Sequence, residues 1–389
     1  MSDFHQEMAK KEIMKGSNHL DMLRQQDQKQ SRSFQEFSEY LEGKARQQVI
    51  PIRGQFELTP LCNLNCKMCY VHLNANQMEN RSLLSVEQWK DIMHDAYEAG
   101  MMFAILTGGE CLTYPGFDEL YLYLQSKGCM VDVLTNGLLL DEERIRFFKA
   151  HPPCTMQVTL YGSNDDAYER VTGRRVYHTV IEHLRMAVDA GLPLIISVTP
   201  SRTMGEDVFD TIRTAWSLTH NLFVNTSLFS PPGSTGRTGA EEDPDAEFYA
   251  RILRLQKELR GTEVKECEES LLPAAGGPCA DCEAHGLRCG GGSSGFVINW
   301  KGEMLICNRM ESKSNLLQLG FTEAWKQIHA YAENWPRAAA CSGCAYEEFC
   351  GICAAEALKY APPGEKPEAL CRRTKYLASR GVLNIPVCE

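Results

Sequence analysis

Six apolar runs alternate with helical stretches between residues 54 and 229, and this alternation constrains the fold more than any other feature. The runs cover residues 55–59, 102–107, 131–135, 155–161, 194–199 and 222–229. Strands that alternate with helical segments are typical of a parallel sheet wrapped by helices. Six such units predict an α/β fold, built as a partial (β/α)6 barrel of the TIM type.

Helix start and stop signals lie between these runs. Ser85 and Gln88 have the spacing of a capping box, and Gly100 follows the apolar face of the same helix as a stop signal. Gly128 and Gly191 are expected to end two further helices in the same way.

Composition divides the chain into four predicted segments. Residues 1–50 are polar and predict a helical extension, which is either solvated or docks a leader peptide or partner. Residues 51–230 hold the barrel, and residues 231–278 form a bridging region with a helix that starts at Asp243 and Pro244. Residues 279–389 are rich in Cys and Gly. Because this tail has little apolar density, we expect metal to help hold it together.

Charge and cysteine content exclude several classes of function. The formal net charge is −11 without a Lys/Arg block, which argues against a nucleic-acid substrate. No stretch reads as a membrane span or a signal peptide. Seventeen cysteines without a secretory signal indicate a reducing compartment, where they bind metal more often than they form disulfides. The expected location is the cytoplasm.

Residues able to do chemistry follow the predicted strands. Cys62, Cys66 and Cys69 follow the first strand, and Gly108-Gly109-Glu110 follows the second. Asn136 follows the third strand. In barrels of this type the chemistry lies at the carboxyl ends of the strands, so these residues are expected to meet at one edge.

The three clustered cysteines suit an iron-sulfur cluster. Such clusters usually take four thiolates, so three cysteines leave one iron open to a substrate or cofactor. A structural zinc site is the alternative interpretation.

The Cys62-x3-Cys66-x2-Cys69 spacing, with Gly108-Gly109-Glu110 after the next strand, resembles the radical S-adenosylmethionine (radical SAM) superfamily. The resemblance implies a [4Fe-4S] cluster on the three cysteines. It also implies that the amino and carboxylate groups of S-adenosylmethionine chelate the remaining iron, and that one electron yields a 5'-deoxyadenosyl radical.

The same resemblance implies contacts with the cofactor. In the family, the residue before the third cysteine is usually aromatic. Here that residue is Met68, and Tyr70 follows the third cysteine; both are expected near the adenine. The glycines would approach the methionine moiety closely, and Glu110 would accept from its amino group. The remaining contacts are expected with the ribose and the carboxylate, from Asn136, Thr159, Arg170 and Thr199.

The cysteine-rich tail resembles the SPASM extension of this superfamily, which carries two auxiliary [4Fe-4S] clusters. The implied ligands of the first are Cys289, Cys307 and Cys353 with Cys282, or Cys279 in its place. Those of the second are Cys341, Cys344, Cys350 and Cys371. Spacing alone suits zinc equally well.

The resemblance implies S-adenosylmethionine and three [4Fe-4S] clusters as cofactors, a precursor peptide as substrate, and flavodoxin or ferredoxin as electron donor. The expected reaction is an oxidative thioether or carbon–carbon crosslink in a ribosomally made peptide. The alternatives are peptide epimerisation, oxidation of a small alcohol, and a metal-binding protein without turnover.

A further alternative is the formation of formylglycine by an anaerobic sulfatase maturase. Those enzymes have an aspartate base directly after the cysteine of the Gly-x4-Cys element, where this chain has Asn308. An amide cannot take the proton, unless a carboxylate such as Glu311 substitutes.

Overall fold

The structure is a computed structural model that describes residues 36–69, 71, 73, 78, 82–225, 244–262, 264, 286–310, 313–342, 344–346, 350 and 353–383. The chain divides into two units, Met1–Val49 and Ile50–Glu389. In the first unit, residues 36–48 form helix α1. The remainder of the predicted amino-terminal extension, residues 1–35, lies outside the described residues.

The second unit is built on one sheet, whose strand order is β6-β5-β4-β3-β2-β1-β7-β8-β9. All pairs from β6 to β7 are parallel, and β8 and β9 are antiparallel additions. The strands are β1 (Arg53–Glu57), β2 (Phe103–Thr107), β3 (Met130–Thr135), β4 (Thr155–Thr159), β5 (Leu194–Val198), β6 (Leu222–Val224), β7 (Gly295–Ile298), β8 (Glu303–Leu305) and β9 (Lys313–Asn315). The predicted α/β barrel fold is confirmed.

Helices cover the connections between the strands. Those of the barrel are α2 (Val86–Glu98), α3 (Phe117–Ser126), α4 (Glu142–Ala150), α5 (Asp165–Thr172), α6 (Tyr177–Asp189) and α7 (Asp207–Leu218). Those that follow are α8 (Ala246–Leu259), α9 (Leu316–Leu319), α10 (Phe321–Glu333), α11 (Ala354–Ala357) and α12 (Glu368–Ser379).

The predicted helix signals act as expected. Ser85 and Gln88 form the capping box of α2. Gly100, Gly128 and Gly191 follow α2, α3 and α6 with φ values of 110°, 78° and 72°. Positive φ favours glycine, which is why helices end there.

The bridging helix starts later than predicted. Helix α8 begins at Ala246, and its cap is Asp245, whose side chain accepts from the backbone N–H of Phe248. The expected start at Asp243 and Pro244 is wrong by two positions, because Asp245, the second of two aspartates that flank Pro244, takes the cap position.

The outer face of the sheet packs against helices. Phe56 on β1 makes edge contacts with Trp89 of α2 at 6.1 Å and with Phe296 of β7 at 6.0 Å between ring centroids. Because side chains alternate along a strand, Glu57 points to the opposite face, towards the barrel interior.

Part of the cysteine-rich tail has a conventional apolar core, which its composition did not predict. Strand β7 continues the parallel sheet by pairing with β1. Residues 295–335 bury a set of large apolar side chains, among them Phe296, Ile298, Trp300, Met304, Ile306, Phe321, Trp325 and Ile328. The expectation of too little apolar density for a core is therefore wrong for this part of the tail. The composition of the tail alone did not indicate this core, because the barrel sheet supplies part of it, as in the contact of Phe56 with Phe296.

Within the described part of the chain, we find no helix with the length and hydrophobicity that a membrane span requires.

Candidate cofactor and substrate site

The three cysteines of the predicted cluster loop follow β1, and the end of α5 holds the loop in place. The backbone N–H of Lys67 donates to the carbonyl of Val171 at 3.0 Å. Within the loop, the N–H of Cys69 donates to the carbonyl of Cys66 at 3.1 Å. The loop thereby brings Cys62, Cys66 and Cys69 to the carboxyl edge of the sheet, as predicted from strand order.

Burial opposes ionisation of these thiols. It raises the pKa of Cys62 to about 12, against a hydrogen bond from the N–H of Leu64 at 3.4 Å. Burial, followed by the charges of Cys69 and Cys62, raises the pKa of Cys66 well above its ordinary value. Three thiolates gathered here need a positive charge between them, and bound iron supplies it. The donor set therefore fits a thiolate-ligated metal group.

A buried donor lies within this loop, on the residue after Cys62. The side-chain Nδ2 of Asn63 has no hydrogen-bond partner among the described residues. The Oδ1 of the same residue accepts from Nδ2 of Asn136 at 2.6 Å. Buried polar groups are normally paired, so an acceptor bound at the loop would satisfy this nitrogen.

In the described ranges, no three His, Cys, Asp or Glu side chains lie close enough to share one metal ion. The preference for a cluster over zinc, which would hold thiolates at about 2.3 Å, therefore rests on the sequence resemblance.

Gly108 and Gly109 allow two backbone segments to touch. A Cβ on Gly108 would lie 2.4 Å from the carbonyl oxygen of Thr59, and one on Gly109 would lie 2.3 Å from that of Leu61. Gly108 also has a φ of 142°, which other residues rarely adopt. These glycines are therefore required by the approach of β2 to the cysteine loop, a reason that the sequence did not indicate.

Glu110 has internal partners. Its carboxylate accepts from the hydroxyl of Thr135 (2.8 Å), the N–H of Asn136 (2.8 Å) and the N–H of Leu112 (3.1 Å). Burial raises the pKa of Glu110, and these hydrogen bonds oppose the rise. Glu110 is not among the residues that line the cavity. The structure thus gives it the task of joining β2 to β3.

A cavity of about 360 Å³, partly open to solvent, lies at the carboxyl ends of the strands. It brings together most of the site residues predicted in the barrel. Those that line it are Cys62, Cys66, Cys69, Met68, Gly108, Gly109, Asn136, Thr159 and Thr199.

Six polar residues of the barrel that sequence reasoning missed line the same cavity. They are Thr107, Thr135, Gln157, Tyr161, Ser197 and Asn225. The sheet register explains the last four of these, because Thr159 pairs with Ser197 and Ser197 pairs with Phe223. Neighbours in register share a face, and so do residues two apart in one strand. Gln157 and Tyr161 each lie two residues from Thr159. The alternation of side chains along β4 would therefore have predicted that both face the cavity.

Arg170 lies elsewhere. Its guanidinium forms an ion pair with Asp207 at the start of α7, and its side chain is 48% exposed. It is not among the lining residues of the cavity. The structure therefore does not bring Arg170 together with the other predicted cofactor contacts. Tyr70, the second residue expected near the adenine, lies outside the described residues.

The tail cysteines lie in two groups. In the first, burial together with the charges of Cys353 and Cys289 raises the pKa of Cys307 to about 11, against a hydrogen bond from the backbone N–H of Arg309. In the second, burial followed by the thiols of Cys371, Cys350 and Cys344 raises the pKa of Cys341. The two groups contain the members of the two predicted ligand sets, except Cys282. Cys282 and its alternative, Cys279, lie outside the described residues. That these cysteines are ligands stays a prediction.

The tail also contributes to the cavity. Asn308 and Arg309 follow Cys307 and line the same space as the cysteine loop of the barrel. Glu311, the carboxylate that could replace an aspartate at Asn308, lies outside the described residues.

Comparisons with known proteins agree with this architecture. Residues 56–215 match the family model of the Radical SAM superfamily. The sporulation killing factor maturation protein SkfB of Bacillus subtilis is 27% identical over 164 residues, which cover 42% of this chain and 39% of SkfB. The antilisterial bacteriocin subtilosin biosynthesis protein AlbA of Bacillus subtilis is 22% identical over 316 residues, covering 78% of this chain and 67% of AlbA. The chain thus spans about two fifths of SkfB and two thirds of AlbA.

Among solved structures, Streptococcus suis SuiB bound to S-adenosylmethionine has the same fold. The TM-score is 0.62 at 16% identity, over 83% of this chain and 77% of SuiB. SuiB bound to the precursor peptide SuiA gives 0.61 at 15% identity, over 83% and 76%. The predicted resemblance to radical SAM enzymes with a SPASM extension is confirmed.

Proposed function

Because this chain belongs to the radical SAM superfamily, we propose that it modifies a ribosomally made peptide by an oxidative thioether or carbon–carbon crosslink. The observation that carries the proposal is the convergence on one cavity of the three-cysteine loop, the two glycines and the polar strand ends. Each comes from a different strand, and all meet where barrels of this type do chemistry.

The residues that line this site have separate roles in binding the cofactors. When bound, a [4Fe-4S] cluster on Cys62, Cys66 and Cys69 with S-adenosylmethionine at its open iron supplies a 5'-deoxyadenosyl radical. The loop fits such a group because it holds three mutually interacting thiols and a buried amide donor, Nδ2 of Asn63, that has no partner among the described residues. Hydroxyl and amide groups on the strand ends, including Thr159 and Ser197, offer neutral hydrogen bonds to a ribose and a base.

A peptide substrate is supported by the cavity and by the relatives. The cavity is open to solvent, as the entry of a polypeptide segment requires. SkfB is named a maturation protein, AlbA a bacteriocin biosynthesis protein, and SuiB was solved with a precursor peptide. We extend that substrate class to this chain.

The two cysteine groups of the tail support net oxidation. Together they would hold two auxiliary clusters, which makes three in all and offers a route for the electron left after a substrate radical is oxidised. A small reduced carrier, flavodoxin or ferredoxin, would supply the electron that starts the reaction.

Formylglycine formation is disfavoured by the residue at the cavity. Asn308 lines it at the position where the resembling sulfatase maturases have an aspartate. Its amide cannot accept the proton that the substrate must lose.

The experiment that tests the proposal uses anaerobically reconstituted, reduced protein. Incubation with S-adenosylmethionine is expected to give 5'-deoxyadenosine, detected by liquid chromatography and mass spectrometry. Co-expression with a short peptide encoded beside the gene is expected to lower the peptide mass by two hydrogens per crosslink. Absence of 5'-deoxyadenosine would exclude radical chemistry, and formation of 5'-deoxyadenosine with an unchanged peptide would exclude that substrate.

A further inference from the structure

Asn136 lies directly after β3 and is buried, with an exposed fraction of 5%. Its side chain donates through Nδ2 to two groups of the cysteine loop, Oδ1 of Asn63 at 2.6 Å and the thiol sulfur of Cys62 at 3.6 Å. An amide nitrogen carries two hydrogens, so one is available for each acceptor. Asn136 is therefore a side chain outside the loop that makes a hydrogen bond to a predicted cluster ligand.

The partners of Asn136 fix which end of its amide faces the loop. The backbone N–H of Leu138 donates to Oδ1 of Asn136 at 3.0 Å. Because a backbone N–H can only donate, the amide oxygen must lie on that side and the amide nitrogen on the other. The orientation in which Nδ2 points towards Cys62 thus follows from the hydrogen bonds around it.

The backbone on both sides of this amide is also held. Glu110 accepts from the N–H of Asn136 at 2.8 Å. Gly137 has a φ of 80°, its N–H donates to the hydroxyl of Thr135 at 3.2 Å, and its carbonyl oxygen lies 3.0 Å from Nδ1 of His183. The amide cannot turn away from the sulfur without breaking hydrogen bonds, which is costly where the groups are buried.

A donor aimed at a ligand sulfur bears on the electron that a cluster accepts. Reduction adds negative charge to the cluster and its thiolates, and a hydrogen-bond donor stabilises the more negative state. Hydrogen bonds to the sulfurs are among the features that set the reduction potential of iron-sulfur clusters. The effect is stronger where water is excluded, as it is around the buried Asn136. A donor at this place therefore makes the electron easier to add.

We propose that Asn136 is a positioning residue that donates to the thiolate of Cys62 and thereby raises the reduction potential of the cluster held by the loop. The inference rests on the proposed function, to which that cluster belongs. The electron comes from the reduced carrier, flavodoxin or ferredoxin, which is oxidised in the step. The contact is distinct from the ribose contact expected from the sequence, for which Oδ1 of Asn136 remains, because both hydrogens of Nδ2 have acceptors.

Two variants separate the donor from the other roles of this side chain. In Asn136→Asp an oxygen can still accept from the N–H of Leu138, but the donor is gone and a charge is added. In Asn136→Leu a side chain of similar size has neither donor nor charge, and the acceptor for Leu138 is also lost. The two variants share only the loss of the donor, so a lower potential in both identifies the donor as the cause.

The measurement is redox potentiometry of the anaerobically reconstituted enzyme, followed by electron paramagnetic resonance. The signal that S-adenosylmethionine alters, and that Cys66→Ala lacks, belongs to the cysteine loop and not to the tail. Both variants of Asn136 should move the midpoint of this signal to more negative values. The equilibrium constant for the one-electron reduction should fall roughly two- to tenfold, which is the range of one hydrogen bond.

The matched control is Asn221→Leu. It removes an amide that donates to the carbonyl of Leu194 at 3.2 Å, directly before β6 and outside the cavity. The midpoint should stay at the wild-type value. Iron content and thermal unfolding show whether each variant is loaded and folded, and Asn136→Ala supplies a smaller neutral side chain if Asn136→Leu loses its iron.

Unchanged midpoints in the variants of Asn136 would overturn the inference. A change in the leucine variant alone would point to the turn at Leu138, and a change in the aspartate variant alone to the added charge, so either result also overturns it. An equal change in Asn221→Leu would do the same. If the wild-type enzyme lacks the signal that S-adenosylmethionine alters, the proposed function fails together with this inference, whereas a normal signal with unchanged midpoints excludes the inference alone.

Discussion

The carboxylate of Glu110 accepts a hydrogen bond from the backbone N–H of Asn136 at 2.8 Å. This contact ties the end of β2 to the end of β3. The side chain of Asn136 in turn lies 3.6 Å from the thiol sulfur of Cys62. A buried carboxylate outside the cavity thus fixes a residue that lines it.

Replacement of Glu110 should destabilise this edge of the sheet. Glu110→Ala leaves three buried donors without an acceptor, so we expect a loss of roughly 1–3 kcal/mol in the free energy of unfolding. Urea and thermal unfolding measure it. The control Glu119→Ala removes an exposed glutamate paired with Lys90 and should change stability by roughly 0–1 kcal/mol. Equal losses in both variants would contradict the structural role of Glu110.

Substitution of one cysteine in the loop should remove only part of the bound iron. Cys66→Ala should lower the iron content by about four atoms per chain from roughly twelve, and should abolish 5'-deoxyadenosine formation. Cys129→Ala is the matched control, because Cys129 is also buried but lies directly before β3, outside the cavity. Iron and sulfide analysis after anaerobic purification makes the comparison. Full iron content in Cys66→Ala would remove the cluster from this loop.

Cys350 and Cys353 are neighbours in sequence that belong to different groups. The thiol of Cys353 acts on Cys307, whereas that of Cys350 acts on Cys341. Cys350→Ala and Cys353→Ala should therefore each remove about four irons, and the double variant about eight. If both served one cluster, the double variant would lose no more iron than either single variant.

The buried carboxyl group of Glu57 should make the stability of the protein depend on pH. Burial in the barrel interior raises its pKa from 4.5 to about 7, and its neighbour in register, Thr107 on β2, is uncharged. The folded state thus binds this proton more tightly than the unfolded state. The stability contributed at this position therefore falls as the pH rises from about 4.5 and is fully lost above about 7.

Glu57→Gln should remove that penalty. At pH 8 we expect it to raise the free energy of unfolding by roughly 3 kcal/mol, and at pH 5 by much less. Urea unfolding at both pH values measures the difference, with the exposed Glu143→Gln on α4 as the control. An equal effect at both pH values would show that charge is not the cause.

The sequence by itself determined the order of strands and helices and the edge at which the chemistry collects. Capping at Ser85 and the stop at Gly100 depend on residues within one turn, so local rules sufficed. The placement of Cys62 and Gly108 after successive strands was enough to predict one shared cavity, because parallel strands end at the same edge.

Only the tertiary structure decided which partner each polar side chain takes. Glu110 and Arg170 each had a cofactor contact implied by their motifs, yet one joins two strands and the other pairs with Asp207. Arg309 reaches the cavity from the tail because β7 extends the barrel sheet. Such contacts depend on strand register and on packing between residues distant in sequence, which no local pattern encodes.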